Sequence, residues 1–175
     1  MSTVPSFEEL LGSARRTAVH LELRDWYMKS DPSYIAWQAG VRDAPEDNDP
    51  EQRPWLKWVQ DATGRGVAIR RARVFSVPES DYIRFEHHVS DANVKAGEQI
   101  AWLPRRQATD IALPGNDFWV FDGRLALVLH FDGDGDLAPD GGLEMTTDPA
   151  VLQLCTTAFE EVWKRAVPHA DYQPS

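Results

Sequence analysis

The sequence predicts a single α/β domain, an α+β arrangement in which helices pack on one mixed sheet. Three observations predict this fold class. Segments rich in β-forming residues alternate with segments whose apolar residues recur at helical spacing. The 175 residues, 42% of them hydrophobic, suffice to bury one core of domain size. No linker separates two cores, so we expect one domain over 1–175, with flexible segments at 1–5, 44–54 and 172–175.

The first third of the chain is predicted to contain two short helices with a strand between them. Ser6 has the spacing to Glu9 that is typical of a capping box, which indicates a helix start. Residues 18–24 alternate between apolar and polar side chains and therefore favour a strand. The pair Asp31-Pro32 is typical of a helix N-terminus.

The middle of the chain is predicted to contain an exposed loop, a helix, a strand and a second helix. Residues 44–54 are acidic and rich in proline, which favours a loop. A helix with Trp55 follows, and residues 67–76 are rich in β-forming residues. The next helix ends at Gly97. Its buried face is predicted from a 3-4-3-4 spacing of Tyr82, Phe85, Val89, Ala92 and Ala96.

The last third is predicted to contain strands and one long helix. A strand ends at Pro104, and a second short strand is expected near Ile111. Residues 117–122 and 124–131 read as the two strands of a hairpin. The final helix begins after Asp148. Its predicted buried face consists of Val151, Leu152, Cys155, Phe159, Val162, Trp163 and Ala166.

Composition argues against several function classes. The formal net charge of −10 opposes direct binding to nucleic acid, because phosphate contacts supply most of the non-specific affinity. No apolar stretch reaches the roughly 20 residues that cross a bilayer, and Cys155 has no partner for an internal disulfide. The first residues lack the layout of a signal peptide. We therefore expect a cytoplasmic protein that binds neither nucleic acid nor membrane.

An acidic loop invites a calcium interpretation. Asp132, Asp134 and Asp136 have the spacing of the first three ligands of an EF-hand loop. The glycine of that loop is replaced by Leu137, and the final glutamate position falls on Leu143. Dinucleotide, P-loop and C-x-x-C motifs are also absent from the sequence. We expect no metal, no cofactor and no catalytic residue.

Several segments together resemble an uncharacterised actinobacterial domain family. They are RRARVFSVPESDYIRFE, AGEQIAWLPRR, NDFWVFDGRLALVLHFDGDG and AFEEVWKRAVPHADY. Members of that family lie beside small helix-turn-helix regulators, so the resemblance implies such a regulator as a candidate partner.

The order of elements also resembles one half of a phospholipase D-like fold, whose signature is H-x-K-x-x-x-x-D. If Asp122 matches the aspartate, the histidine position falls on Gly115 and the lysine position on Asp117. Val128 and Leu129 stand where a glycine-serine pair is expected. Covalent phosphoryl transfer needs a nucleophile and a cation for the phosphoryl oxygens. The resemblance therefore implies a degenerate, non-catalytic relative.

The leading hypothesis is a non-catalytic regulatory or interaction domain that binds a protein partner or a small ligand. The alternative is an enzyme that acts on a phosphate-containing substrate and uses arginines as anion clamps. In either case the predicted functional face comprises Arg71, Arg73, Trp102, Arg105, Arg106, Asp117, Trp119 and Asp122. A third interpretation leaves the two tryptophans in the core and the arginines in internal ion pairs.

Overall fold

A computed structural model describes residues 4–42 and 48–175, which contain five helices of at least seven residues, a short 3₁₀ helix (Arg105–Gln107) and one seven-stranded sheet. The helices are α1 (Phe7–Ser13), α2 (Pro32–Gln38), α3 (Pro54–Gly64), α4 (Asp81–Ala96) and α5 (Pro149–Arg165). The strands are β1 (Thr17–Glu22), β2 (Ala68–Phe75), β3 (Gln99–Pro104), β4 (Asp117–Phe121), β5 (Leu125–Leu129), β6 (Leu143–Thr146) and β7 (Val167–Pro168).

The sheet has the order β6-β5-β4-β1-β2-β3-β7. Strands β1, β2 and β3 are parallel to one another, and β4, β5, β6 and β7 pair antiparallel with their neighbours. Both faces of the sheet are covered, because α5 packs on one face and α1, α3 and α4 lie on the other. The α/β prediction with a mixed sheet is therefore confirmed.

The predicted element starts are confirmed where the chain supplies a capping side chain. Ser6 and Glu9 form the capping box of α1. Asp31 and Asp148 accept backbone N–H bonds at the starts of α2 and α5. Gly97 ends α4 with a φ of 111°, a conformation that favours glycine.

The strand expected near Ile111 is a wrong prediction. Residues 108–116 form turns and irregular chain, since the Ile111 backbone N–H bonds to the Ala108 carbonyl instead of a neighbouring strand. Strands β6 and β7 were not predicted. Both are short edge strands, with four and two residues, and periodicity is weak over such lengths.

Two segments that were expected to be flexible lie partly outside the described residues, namely positions 1–3 and 44–47. The described tail contacts the body of the domain. The Tyr172 ring stacks on Trp102 with an interplanar angle of 17°, and the Ser175 hydroxyl donates to Glu79. Within the described residues, no helix is long and apolar enough to cross a membrane.

Candidate functional site

Charged side chains are buried on the central strands, on the sheet face that α1, α3 and α4 cover. Glu22 lies on β1, and Arg71 and Arg73 lie on the adjacent parallel strand β2. Residues two apart on a strand point to the same face, so both guanidinium groups reach the Glu22 carboxylate. Arg71 Nη1 lies 2.5 Å from Oε1, and Arg73 Nη1 lies 2.5 Å from Oε2.

Two further carboxylates complete the ion pairs of these arginines. Arg71 Nε donates to Glu98 Oε1 at 2.6 Å, and Arg73 Nη2 donates to Glu86 Oε2 at 2.6 Å. Glu98 also accepts hydrogen bonds from the Asn93 amide and the Trp55 indole. We call Glu22, Arg71, Arg73, Glu86 and Glu98 the central charge cluster.

The pKa shifts in this cluster follow from its geometry. Burial alone would raise the pKa of Glu22, but Arg73 and Arg71 outweigh it and hold that pKa far below its usual range. Burial likewise raises the pKa of Glu98, and the Arg71 guanidinium reverses the shift. Both carboxylates are therefore ionised, and each arginine keeps its charge because its carboxylate partners outweigh the cost of burial.

His20 lies beside the cluster on β1. Its ring stacks on Trp119 with centroids 4.3 Å apart and an interplanar angle of 6°. Nδ1 lies 2.7 Å from the Phe118 carbonyl oxygen, which can only accept, so Nδ1 carries a proton. Nε2 lies 3.1 Å from Glu22 Oε1 and can donate to it only when the ring carries a second proton.

Asp117 faces the same space from the start of β4. Its carboxylate accepts hydrogen bonds from the Tyr27 hydroxyl and, at 3.0 Å, from the Leu23 backbone N–H. Burial, assisted by the nearby Glu22 charge, raises the pKa of Asp117 to about 6 although the Tyr27 bond opposes this. Burial also raises the pKa of Tyr27 well above its ordinary value, so the phenol is neutral.

A pocket of about 230 Å³ opens above these groups. Its polar lining comes from the sheet and α4, and its apolar lining is mainly aromatic. Tyr27 and Met28, in the segment after β1, close one side of it. The full lining consists of Phe7, His20, Glu22, Tyr27, Met28, Trp55, Arg71, Tyr82, Glu86, Asp117, Trp119, Leu129 and Phe131.

A larger groove of about 420 Å³ lies beside β3 and the edge strand β7. Its lining is mostly apolar, and of the central charge cluster only Glu98 borders it. Size alone would favour this groove. We place the candidate site in the smaller pocket because buried ionisable groups with shifted pKa values converge there.

Four residues of the predicted functional face come together at the pocket. Arg71, Asp117 and Trp119 line it, and Arg73 joins the central charge cluster next to it. Trp102 is fully buried and does not line the pocket. The Arg73 guanidinium lies over the Trp102 ring, 5.3 Å from the ring centroid.

The other three predicted residues lie elsewhere. Arg105 donates to the carbonyl oxygens of Leu23 and Val74, and Arg106 is exposed. Asp122 lies at the far end of β4 from Asp117 and accepts backbone N–H bonds from residues 15–17. The acids at 117 and 122 therefore do not converge with Arg105 on one cleft.

Sequence reasoning missed His20, Glu22, Tyr27, Glu86 and Glu98 as site residues. The alternation in β1 was used only to predict a strand, and the burial of His20 and Glu22 was not predicted. A usable signal was present. Polar residues two apart in β1 and arginines two apart in β2 can face each other on adjacent strands.

Metal-ligating groups are not clustered in the part of the chain that the structure describes. Over residues 4–42 and 48–175, no three His, Cys, Asp or Glu side chains are placed to hold one metal ion. In the acidic loop, Asp132 Oδ1 instead accepts the backbone N–H groups of Asp134 and Asp136.

The fold and the pocket define an α/β domain with a buried ionic cluster beneath an aromatic-lined cavity. The chain belongs to the family described as domain of unknown function (DUF6879), whose model matches residues 5–174. A comparison with curated proteins found no match.

The solved structures that match this chain include two distant ones. The archaeal chromatin protein TrmBL2, whose structure is described as showing a novel mode of DNA binding, has 15% identity and a TM-score of 0.46. The match covers 91% of this chain and 47% of TrmBL2, so the chain spans about half of that protein. Nuc from Salmonella typhimurium, a phospholipase D family member, has 8% identity and a TM-score of 0.49, with 92% and 86% covered. Similarity at this level gives no information about activity.

Proposed function

We propose that this domain is a non-catalytic binding module that holds a small ligand in the pocket above the central charge cluster. The observation that carries the proposal is the composition of that pocket. Six aromatic side chains, Phe7, Tyr27, Trp55, Tyr82, Trp119 and Phe131, surround a few convergent polar groups. Small-molecule sites characteristically combine a largely apolar lining with a few positioned polar groups.

The volume of the pocket limits the ligand. About 230 Å³ lies below the 300–1,000 Å³ that is typical of drug-sized ligands, so the ligand is small. The rigid floor supports specificity. Glu22 and Arg71 are fixed by ion pairs on central strands, so they need little reordering when a ligand binds.

The ion pairs disfavour the alternative of an enzyme with arginine anion clamps. Arg71 already contacts Glu22 and Glu98, and Arg73 already contacts Glu22 and Glu86. A phosphate group would have to displace a carboxylate or share the guanidinium group with one. Bidentate anion binding needs guanidinium N–H donors that are not already in ion pairs with carboxylates.

A protein partner is the second part of the proposal. The segment that contains Tyr27 and Met28 borders the pocket, and its Trp26 side chain is 40% exposed. Ligand occupancy can therefore be sensed at the surface by a partner. The family resemblance supplies a helix-turn-helix regulator as the candidate, and the acidic charge of the chain suits a basic partner surface.

A fragment screen by protein NMR tests ligand binding. Cationic, neutral and anionic compounds of low mass are added to the labelled wild-type protein, and Leu129→Phe serves as a pocket-filling variant. We expect compounds that shift the Trp55 and Trp119 indole resonances and that no longer bind the variant. The matched control is Val94→Phe, which adds a ring in the groove beside β3 and should leave binding unchanged.

The proposal is overturned if no fragment binds, or if binding persists unchanged in Leu129→Phe. The partner is tested by co-purification from the native host. Recovery of a helix-turn-helix protein supports the partner, and its absence from repeated preparations contradicts it.

A further inference from the structure

We propose that the ligand is a small organic cation, a protonated amine on an apolar body, which the aromatic rings surround and the carboxylates of the pocket neutralise. This inference rests on the proposed function and names the chemical class of its ligand. Three features of the pocket support it, namely its charge, its aromatic rings and a buried acceptor that has an ion pair but no hydrogen bond.

The first feature is an excess of negative charge around the pocket. Four carboxylates, Glu22, Glu86, Glu98 and Asp117, face two guanidinium groups, Arg71 and Arg73. With all carboxylates ionised, four negative charges against two positive charges leave −2, or −1 when His20 also carries a charge. Because most of these carboxylates are buried, where water screens charge less, this excess attracts a cation and repels an anion.

The second feature is the aromatic lining. The rings of Trp55 and Trp119 have centroids 5.4 Å apart and lie tilted to each other. The Arg71 guanidinium already lies 5.6 Å from each of these centroids, so this wall accommodates a cation. Tyr27 and Phe131, which also line the pocket, meet edge to face with centroids 5.1 Å apart. Such rings combine apolar contact for the body of a ligand with attraction for its charge.

The third feature is an acceptor that lacks a hydrogen bond. Glu22 is 7% exposed and lines the pocket, and its buried Oε2 accepts no hydrogen bond within the described residues. Arg73 Nη1 lies 2.5 Å away, but that contact is only an ion pair. A carboxylate oxygen can accept from more than one donor, and the N–H groups of an ammonium ion are suitable donors.

Glu86 gives the most accessible position for the charge. Its side chain is 16% exposed, and it borders both the aromatic pocket and a more polar pocket of about 370 Å³ next to α2 and α4. One of its carboxylate oxygens accepts from Arg73, and the Tyr82 hydroxyl, which also lines the pocket, interacts with the same carboxylate. The amine is therefore placed toward Glu86, with its apolar body among the rings.

Isothermal titration calorimetry with three probes of nearly equal shape tests the charge. They are 2-phenylethylamine as the cation, 2-phenylethanol as the neutral probe and phenylacetate as the anion, each at pH 7.5 and constant ionic strength. We expect the amine to bind about tenfold or more tightly than the alcohol, since a desolvated cation–π contact or ion pair contributes at least this factor. Phenylacetate should show no binding. Added salt should lower the affinity for the amine and leave the affinity for the alcohol unchanged.

The variant Glu86→Gln removes one charge at nearly constant volume. We expect it to weaken amine binding about five- to tenfold while leaving the alcohol unchanged. The matched control is Glu144→Gln, which replaces an exposed carboxylate outside the pocket. It should change neither the affinity for the amine nor the affinity for the alcohol. The comparison of the three probes on the wild-type protein needs no variant. It therefore shows whether the pocket prefers a cation even if Glu86→Gln folds poorly.

The outcomes separate this inference from the proposed function. If the alcohol or phenylacetate binds as tightly as the amine, and Leu129→Phe abolishes that binding, the cation inference is wrong while the binding function stands. The same holds if the fragment screen finds pocket ligands and none is a cation. If neither the probes nor any fragment binds, both fail.

Discussion

Arg71 Nη1 and Glu22 Oε1 lie 2.5 Å apart on adjacent parallel strands, although the sheet register places Glu22 opposite Arg73 rather than Arg71. Glu22 thus contacts both its direct cross-strand partner and the diagonal one. Because both arginines depend on this one carboxylate, the ion pairs at the centre of the sheet form one unit.

The first prediction concerns this shared carboxylate. Glu22→Gln leaves Arg71 and Arg73 with fewer negative partners in a buried site, so we expect a loss of about 3–5 kcal/mol in the free energy of unfolding. Glu144→Gln is the matched control. It breaks an exposed contact with His130, which should contribute at most about 1 kcal/mol. Chemical denaturation measures both, and equal losses in the two variants would contradict the prediction.

The second prediction concerns Asp117. Its pKa is about 6 in the folded protein and 3.8 in the unfolded chain, so the folded state binds the extra proton between these values. The free energy of unfolding therefore falls as the pH rises through these values, by about 2 kcal/mol between pH 4 and pH 6 from this group. Asp117→Asn cannot ionise and lacks this decrease. Chemical denaturation at each pH measures the free energy of unfolding of both proteins. Relative to wild type, the stability of Asp117→Asn should increase as the pH rises to 7.

Asp110→Asn is the control for that pH dependence. The Arg165 hydrogen bond lowers the pKa of the exposed Asp110 carboxyl, so its contribution is present above the unfolded pKa and is lost as the pH falls. The free energy of unfolding of Asp110→Asn should therefore decrease relative to that of wild type as the pH rises. If the Asp110 and Asp117 variants show the same trend, the account of Asp117 is wrong.

The sequence predicted most elements because local signals and tertiary packing agree in them. The capping box at Ser6, the helix spacing that ends at Gly97 and the hairpin at residues 117–131 all depend on near neighbours. The edge strands β6 and β7 depend on pairing with distant residues. Their formation therefore could not be predicted from their own short sequences.

The candidate site was predicted in part, for a related reason. Asp117 was named because the lysine position of the H-x-K-x-x-x-x-D signature falls on it, and Arg71 as one of the clustered arginines; both line the pocket. Glu22 and Glu98 were missed because their burial depends on which strands become neighbours. That order, with β4 beside β1 and not beside β3, is a tertiary property that periodicity does not encode.

The third prediction concerns the close approach of α3 and the end of α4. A Cβ at position 97 would lie 2.8 Å from Thr63 Oγ1, and the φ of 111° disfavours any side chain. Gly97→Ala should therefore cost at least about 1–2 kcal/mol of stability. Gly12→Ala, in helix α1 with no atom near the added methyl group, should be neutral or slightly stabilising. Thermal denaturation distinguishes the two, and a neutral Gly97→Ala would contradict the described packing.

The fourth prediction concerns Cys155, the single cysteine of the chain. Its thiol is 2% exposed against the sheet, and burial raises its pKa to about 11. Because the thiolate is the reactive form, alkylation by iodoacetamide at pH 8 should be much slower in the folded protein than in guanidinium chloride. The labelling rate of the folded protein should follow its rate or extent of unfolding. Rapid stoichiometric labelling under native conditions would show an accessible thiolate, and the apolar packing of α5 against the sheet would then need revision.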